Sequence, residues 1–256
     1  MEKEFVDILN VRIQNLTEAK LLASLKEGVL FTPNVDHVMK LQKDKEFYEA
    51  YQKADWVVCD SKVILFCSRL TSTPIKETIS GSTFFRSFYQ YHRDNPDCRI
   101  FLLGSLDNVA EKAKERINNK VGRDIIVGAL SPSMGFDKKP QECEHIINTV
   151  KASGANVLVV GVGAPKQEKY IMTWKDRMPN IKIFMTLGAT IDFEAGVKRR
   201  APLWMQHIGM EWFYRFVHEP RRLFRRYFIH DLGFFILFAK QHLGRYQIHG
   251  KGAPLK

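Results

Sequence analysis

The chain has 256 residues and 45% hydrophobic content, enough for one large domain or for a domain with an appendage. Its net charge of +11 indicates an anionic partner, either nucleic acid, a phosphorylated substrate or a membrane surface. The sequence lacks a signal-peptide core, a membrane span of roughly 18 apolar residues and any CxxC or zinc-site cysteine spacing, which favours a cytosolic protein with reduced thiols.

The first hundred residues alternate between short apolar runs and helical patterns, and glycine, proline or aspartate often stands at the boundary between them. Residue 60, an aspartate, ends the third apolar run. In chain order, the predicted elements are strand 5–9, helix 18–26, strand 29–32, helical region 35–53, strand 56–59, and helices 61–70 and 82–92.

The second half repeats this alternation with longer apolar runs, each ending at a glycine. We expect Asp107 to cap the helix 109–119 and Pro165 to start another helix. The predicted elements are strand 100–103, helix 109–119, strand 125–127, the loop SPSMGF, helix 141–152, strand 157–160, a helix after residue 165, and strand 181–187.

About six βα units therefore precede residue 187, and continuous apolar strands of this kind are typical of a parallel sheet covered on both faces. We predict a Rossmann-like, doubly wound α/β fold with a mainly parallel sheet over residues 1–200. Strand patterns stop after this point. Residues 201–256 are helical, aromatic and rich in arginine, and we interpret them as a basic helical appendage that associates with membranes.

Ligands of doubly wound sheets bind where the strands end, so polar residues at these ends are candidates for a site. Asp60 ends its strand as a catalytic carboxylate would, although it could simply cap the following helix. Thr32, Asn34, Asp36 and His37 follow the preceding strand in the same way, and the alternative for them is a proline turn with an Asx cap.

Glycine turns suggest where a phosphate group would bind. Gly104–Ser105 precedes a helix and could cradle a diphosphate through backbone N–H groups. The run GVGAPK, which contains Gly163 and Lys166, is only a partial match to a dinucleotide-binding GxGxxG. Walker, GxSxG and HExxH motifs are absent from the sequence, as is a DxD metal motif, so we expect no metal and no cofactor.

The appendage concentrates positive charge beside large aromatic residues. Arg221, Arg222, Arg225 and Arg226 lie within about one and a half helical turns, and such crowding is unfavourable unless an anion compensates it. A basic, aromatic helix suits an anionic membrane surface, and it also suits the phosphates of RNA.

The blocks TPNVDHV, LLGS, GVGAPKQEKYI and GATIDFEAGVKRRAPLWMQHIGMEWFYRFVHEPRR, with the strand ending at Asp60 and the pair Ser80–Gly81, carry a resemblance to a known family. With them the sequence resembles the WecG/TagA/CpsF family of bacterial glycosyltransferases (family 26) over about residues 10–227. The resemblance implies transfer of an N-acetylmannosamine-type or related sugar from a UDP-sugar donor to a polyprenyl-diphosphate-linked sugar acceptor. It also implies inversion, no obligatory metal, and a cytoplasmic, peripheral location on the inner membrane face, in cell-surface polysaccharide synthesis.

The resemblance also assigns roles. Asp60 is expected to be the general base, Thr32, Asn34 and Gln167 to line the sugar pocket, and Phe136 to pack on the uracil ring. The arginines of the appendage are expected to close over the donor diphosphate, since guanidinium groups match phosphate oxygens. The predicted catalytic set is Asp60, Thr32, Gln167, Arg215 and Arg222, and the predicted substrate-binding set is Asn34, Asp36, His37, Gly81, Gly104, Ser105, Phe136, Gly163, Lys166, Asp192, Arg221 and Arg225.

Two alternatives stay open from the residues alone. The charge and the arginine–aromatic tail would suit a nucleic-acid-binding α/β protein, whereas the βα glycine turns would suit a nicotinamide-dependent oxidoreductase. We expect the glycosyltransferase, with no nucleic-acid partner. A homo-oligomer is left open.

Overall fold

The computed structural model describes residues 4–202, 204–205, 208, 210–225 and 231–246, without the side chains of Arg215, Arg222 and Arg225. Its centre is an all-parallel six-stranded sheet, as predicted. The strand order is β4-β3-β8-β7-β5-β6, and the strands are β3 (Gly28–Phe31), β4 (Trp56–Val57), β5 (Ile100–Gly104), β6 (Ile126–Leu130), β7 (Val157–Gly161) and β8 (Ile183–Thr186).

Helices cover both faces of this sheet, which explains why its strands are mostly apolar on both sides. Along β7, Leu158 and Val160 belong to one core cluster, and Val157 and Val159 belong to the cluster on the other face. The helices are α1 (Glu18–Ser24), α2 (Val35–Leu41), α3 (Lys45–Gln52), α4 (Lys62–Ser68), α5 (Gly81–Tyr91), α6 (Val109–Val121), α7 (Pro140–Ala152), α8 (Lys166–Trp174), α9 (Thr190–Ala195), α10 (Glu211–His218), α11 (Pro220–Arg225) and α12 (Leu232–His242). The α/β, Rossmann-like prediction is confirmed.

The strand order reverses direction between β5 and β7, which pair side by side. The chain leaves β5 towards β6 on one side and leaves β7 towards β8 on the other. Doubly wound sheets bind ligands at such a switch point, outside the carboxyl ends of the strands. Gly104 and Gly161 end these two strands, and a Cβ at Gly104 would lie 2.5 Å from the Gly161 carbonyl oxygen. Only glycine lets the two loops approach this closely.

The N-terminal strand was expected to be a single run, but it forms half of a hairpin outside the main sheet. β1 (Phe5–Ile8) pairs antiparallel with β2 (Val11–Gln14). The turn lacks glycine, and Leu9 itself adopts the left-handed conformation with φ 54°. Because no glycine lies between the two runs, the pattern of residues did not predict a hairpin.

Two other expectations need correction. The helical region 35–53 is divided into α2 and α3, because Asp44 caps α3 by accepting from the Phe47 N–H at 3.0 Å. Asp107 does not cap α6, since the residue before that helix is Asn108, which has φ 64° and makes no capping hydrogen bond through its side chain.

Helix α12 packs against the N-terminal part of the chain. Phe234 and Phe238 of α12 are buried in the same core cluster as the residues of α2 and the hairpin. The division at residue 200 stays a prediction, but the core itself continues across it. Among the described residues, no helix is long and apolar enough to cross a lipid bilayer.

Candidate active site

A cleft of about 1200 Å³ opens along the carboxyl ends of the parallel strands, at the predicted edge. It is larger than most small-ligand pockets, which hold roughly 300–1000 Å³. Residues from the loops after all six strands of the sheet line it. The predicted site residues in this lining are Thr32, Asn34, Asp36, His37, Asp60, Ser105, Phe136, Gly163, Lys166, Gln167 and Asp192.

Asp60 follows β4 and lines the cleft, and it is not the cap of the next helix. Ser61 occupies the N-cap position of α4, where its hydroxyl accepts from the Ile64 N–H at 3.2 Å. The Asp60 N–H donates to the Pro33 carbonyl at 2.9 Å, which ties its loop to the loop after β3. The helix cap is therefore Ser61, and the role of Asp60 as a general base stays a prediction.

Asn34, Asp36 and His37, which follow β3, all line the cleft, and Asn34 also caps α2. Asn34 caps α2 by accepting from the His37 N–H at 3.2 Å, as the Asx alternative expected. Asp36 forms a 2.8 Å ion pair with Lys40, whose ammonium also donates to the Ala164 carbonyl at 3.1 Å. Lys40 thus links α2 to the loop after β7.

His37 is 8% exposed and reaches beneath the cleft, where its Nδ1 lies 2.9 Å from the Tyr51 hydroxyl. Burial raises the pKa of Tyr51 well above its ordinary value, and the negative charges of Glu168, Asp60 and Asp36 raise it further. Tyr51 therefore stays protonated at neutral pH and can donate its proton to the imidazole.

Gln167 lies in the first turn of α8, and its side chain is held by two hydrogen bonds. Its Oε1 accepts from the Gly163 N–H at 3.2 Å, and its Nε2 donates to Glu168 Oε1 at 2.8 Å. Glu168 is completely buried, and burial raises the pKa of its carboxyl to about 7. Glu168 follows the same glycine turn as Lys166 and Gln167, but the predicted catalytic and substrate-binding sets do not include it.

On the other side of the cleft, Asp192 is fixed between two partners. The Ser105 hydroxyl donates to Asp192 Oδ1, and Lys198 forms a 2.8 Å ion pair with Oδ2. Ser105 has φ 66°, so the loop after β5 is strained where it meets α9. This arrangement joins the β5 loop to the β8 loop across the switch point.

Phe136 lies at the floor of the cleft, 1% exposed, with its ring packed edge-on against Tyr170 at 5.2 Å. A ring covered in this way supports the SPSMGF loop from below and does not offer a free face to a uracil ring. Ser133 and Met134 of that loop are exposed, Met134 to 88%.

The remaining predicted residues lie apart from the lining. Gly81 starts α5 between Ser80 and Ser82, which do line the cleft, and Gly104 is buried behind Ser105. Arg221 on α11 is exposed and does not line it. The predicted roles of the Arg215, Arg222 and Arg225 side chains lie outside the described residues.

Two lysines that line the cleft, Lys40 and Lys198, were not among the predicted site residues. Lys40 stands four residues after Asp36, a spacing that favours a helical ion pair, so a signal for it existed. Lys198 was counted only with the charge of the appendage. In the described part of the chain, no group of three or more His, Cys, Asp or Glu side chains is arranged to hold a metal ion.

Comparison with known proteins identifies the family. The family model described as glycosyl transferase WecG/TagA/CpsF matches residues 6–248. An N-acetylglucosaminyldiphosphoundecaprenol N-acetyl-beta-D-mannosaminyltransferase of Bacillus subtilis (strain 168) is 25% identical over 195 residues, 76% of this chain and 73% of the relative. A protein of the same name from Staphylococcus aureus (strain MRSA252) is 24% identical over 233 residues, 86% of this chain and 87% of the relative.

This match covers the sheet, the cleft and the helices after residue 200, and it favours neither the nucleic-acid-binding alternative nor the oxidoreductase. The chain therefore belongs to the glycosyl transferase WecG/TagA/CpsF family, and it is a glycosyltransferase.

Proposed function

We propose that the protein transfers an N-acetylmannosamine-type sugar from a UDP-sugar to a polyprenyl-diphosphate-linked N-acetylglucosamine, in the synthesis of a cell-surface polymer. The observation that carries the proposal is the cleft at the sheet edge, which Asp60, Thr32 and Gln167 all line. The names of the Bacillus and Staphylococcus relatives support the sugar and the lipid-linked acceptor.

In this proposal Asp60 is the general base. A carboxylate at the cleft accepts the proton of the acceptor hydroxyl as that oxygen attacks the anomeric carbon of the donor. Attack from the face opposite the departing diphosphate inverts the anomeric configuration. Thr32 and Gln167 supply a hydroxyl and an amide that bind the transferred sugar, and neither group titrates near neutral pH.

The leaving diphosphate needs positive charge, and the described lysines do not supply it freely. Lys40, Lys166 and Lys198 line the cleft, but each lies within 3.4 Å of a carboxylate. Helices α5, α6 and α8 begin at the cleft without a side-chain cap, so their N–H groups favour a bound anion. We assign the remaining charge to the arginines of α10 and α11, acting in place of a metal ion.

A lipid-linked acceptor requires contact with a membrane, and α10 offers a surface for it. Trp212, Phe213 and Val217 are all at least 40% exposed on this helix, next to arginines in the sequence. Exposed aromatic residues beside basic ones suit an anionic interface. We propose that the protein is peripheral on the cytoplasmic face of the cell membrane.

The test is a screen of UDP-sugars against a synthetic polyprenyl-diphosphate-N-acetylglucosamine, with the product read by mass spectrometry. We expect one added N-acetylhexosamine from UDP-N-acetylmannosamine and a β linkage by NMR. UDP-N-acetylglucosamine, which differs at one stereocentre, is the matched control for the sugar. Transfer from another UDP-sugar alone would replace the donor in this proposal, and no transfer from any donor would overturn it.

A further inference from the structure

The Gln167 side chain is held in one of its two orientations. An amide has a donor end and an acceptor end of nearly the same shape, so only its partners decide which end points where. Here Oε1 faces a backbone donor, the Gly163 N–H, and Nε2 faces an acceptor, Glu168 Oε1. Rotating the amide by half a turn would bring two donors together at Gly163 and two acceptors together at Glu168.

The fixed orientation of the Gln167 amide determines which hydrogen-bonding group a ligand in the cleft would contact. Each end of the amide has one further hydrogen-bonding position, and no described residue occupies either of them. Gln167 lines the cleft, so a ligand bound there can reach one of these positions. Such a ligand meets an N–H at the end held by Glu168.

Glu168 is an unusual residue to place behind this amide. Its side chain is completely buried. The Thr186 hydroxyl faces the same carboxyl, yet neither Thr186 Oγ1 nor Glu168 Oε2 completes a hydrogen bond. A buried carboxyl with one oxygen unsatisfied destabilises the fold, so packing alone does not explain it.

We propose that Glu168 is a positioning residue, which orients the Gln167 amide so that its N–H donates to an acceptor oxygen of the transferred sugar. The inference rests on the proposed function and deepens it. Glu168 itself does not touch the substrate in this scheme. It acts only through Gln167, and what it must supply is a hydrogen-bond acceptor at Oε1.

The experiment compares two substitutions of Glu168. Glu168→Met keeps the length of the side chain and removes the acceptor, whereas Glu168→Gln keeps a carbonyl oxygen for the Gln167 amide. We expect Glu168→Met to lower kcat/KM by about tenfold or more, because the amide is free to turn its carbonyl towards the sugar. Glu168→Gln is expected to recover most of this loss. Lys169→Met, on the same helix and outside the cleft, is the matched control for the introduced methionine.

A double-mutant cycle separates positioning from general support of the fold. In a Gln167→Ala background, Glu168→Met should have no further effect on kcat/KM, because its only route to the substrate is gone. A structural role would lower activity in both backgrounds in step with melting temperature. Wild-type kcat/KM in Glu168→Met would overturn the inference, as would equal losses in Glu168→Met and Glu168→Gln, or additive effects in the cycle.

Failure of the proposed function leaves a different result. If the wild type transfers no sugar, the inference is still decided by the side-chain amide protons of Gln167, followed by NMR in nitrogen-15-labelled protein. We expect slow exchange with solvent in the wild type and in Glu168→Gln, and faster exchange in Glu168→Met. Equal exchange rates in all three proteins would overturn it.

Discussion

At the scale of single residues, three acidic side chains near the cleft differ in their surroundings, and this decides what each can do. Asp192 is bound by Ser105 and Lys198, so its charge is already compensated. Glu168 is buried behind Gln167. Asp60 lines the cleft at the end of a strand, and the neighbouring Ser61 performs the capping. Of the three, Asp60 is the one that we propose as the general base.

Asp60→Asn should lower the transfer rate by about 10²–10⁴, because an amide of the same shape cannot accept the proton. UDP binding measured by calorimetry should be unchanged. The control is Ser61→Ala, which removes the cap of α4 and should lower the free energy of unfolding by about 1 kcal/mol without a comparable loss of rate. Near wild-type turnover in Asp60→Asn would assign the base elsewhere.

Glu168 should make stability depend on pH. Its pKa is raised from 4.5 to about 7 in the folded protein, so the folded state holds the proton more tightly than the unfolded chain does. Its contribution is fully present below pH 4.5 and is lost as the pH rises through about 7. The difference between these two pKa values corresponds to about 3 kcal/mol.

Glu168→Gln removes this titration, so the variant should be more stable than the wild type at pH 8 by on the order of 3 kcal/mol and little different at pH 4.5. Urea unfolding at both pH values measures it. The nearby charges of Lys40 and Asp36 are present in both proteins and cancel in the comparison. Equal differences at the two pH values would show that the carboxyl does not titrate between them.

Transfer activity should survive chelation. The sequence lacks a DxD motif, and the proposed mechanism gives the leaving diphosphate to arginines and helix N-termini. Activity in EDTA is expected to stay within about twofold of the untreated enzyme. The loss of a charge that stabilises the transition state would instead lower the rate tenfold or more. Loss in EDTA that Mg²⁺ or Mn²⁺ restores would contradict this prediction.

At the scale of elements, α12 is apolar on two faces. Phe234 and Phe238 are buried against α2 and the hairpin, whereas Phe235 and Ile236 point to solvent. The buried face ties the appendage to the core, so the end of the chain contributes to the stability of the α/β domain. The exposed face contributes little to folding.

Phe234→Ala should therefore lower the free energy of unfolding by about 3–5 kcal/mol, the cost of a large cavity in a packed core. Phe235→Ala is the matched control one residue away, and because Phe235 is 49% exposed it should change stability by less than about 0.5 kcal/mol. Chemical denaturation compares them. Similar small losses in both variants would mean that α12 is not part of the cooperative unit.

The strands of the sheet could be predicted because each is an apolar run that ends at a turn residue. Val157–Gly161 and Ile100–Gly104 were placed within one residue of their observed ends. Their order in the sheet was not predictable, since the pairing of β3 with β8 joins segments about 150 residues apart. The hairpin was not predicted because its turn places Leu9 at a positive φ. Leucine rarely adopts this conformation, so a leucine in the sequence does not indicate such a turn.

The candidate site could be predicted in part from the same strand-end pattern. Strand-end residues such as Asp60 and Gln167 could be collected at one edge, because parallel strands end together. The burial of individual side chains could not be predicted from the sequence. In the structure, Phe136 lies at the floor of the cleft and not on its surface, and Glu168 lies behind Gln167. Both depend on packing between distant elements, which no local pattern records.

At the scale of the whole molecule, charge is concentrated near the end of the chain. Residues 198–245 hold ten lysines and arginines against three acids, a net charge of +7 out of +11. The described residues there also expose Trp212 and Phe213 on α10. Positive charge and exposed aromatic rings in one region fit a surface that rests on anionic lipid.

The protein should bind vesicles containing anionic lipid and bind zwitterionic vesicles much less, with affinity falling as salt rises. Replacing Trp212 and Phe213 together by serine should weaken vesicle binding at least tenfold, since each buried aromatic ring contributes about 1.5–3 kcal/mol. Phe66→Ser, 50% exposed on α4, is the control. Co-sedimentation measures all three, and equal losses would remove α10 from the proposed interface.

The contact between the hairpin and α12 also has a consequence for the order in which the chain can fold during synthesis. The Leu9 N–H donates to Gln241 Oε1 at 2.8 Å, and Gln241 Nε2 donates to the Asp7 carbonyl at 2.8 Å. These partners are 232 and 234 residues apart, so the first hairpin leaves the ribosome long before its partner exists. At typical rates of synthesis of about 5–20 residues per second, about ten seconds or more separate the synthesis of the hairpin from that of α12. During this time the hairpin lacks its hydrogen bonds to Gln241.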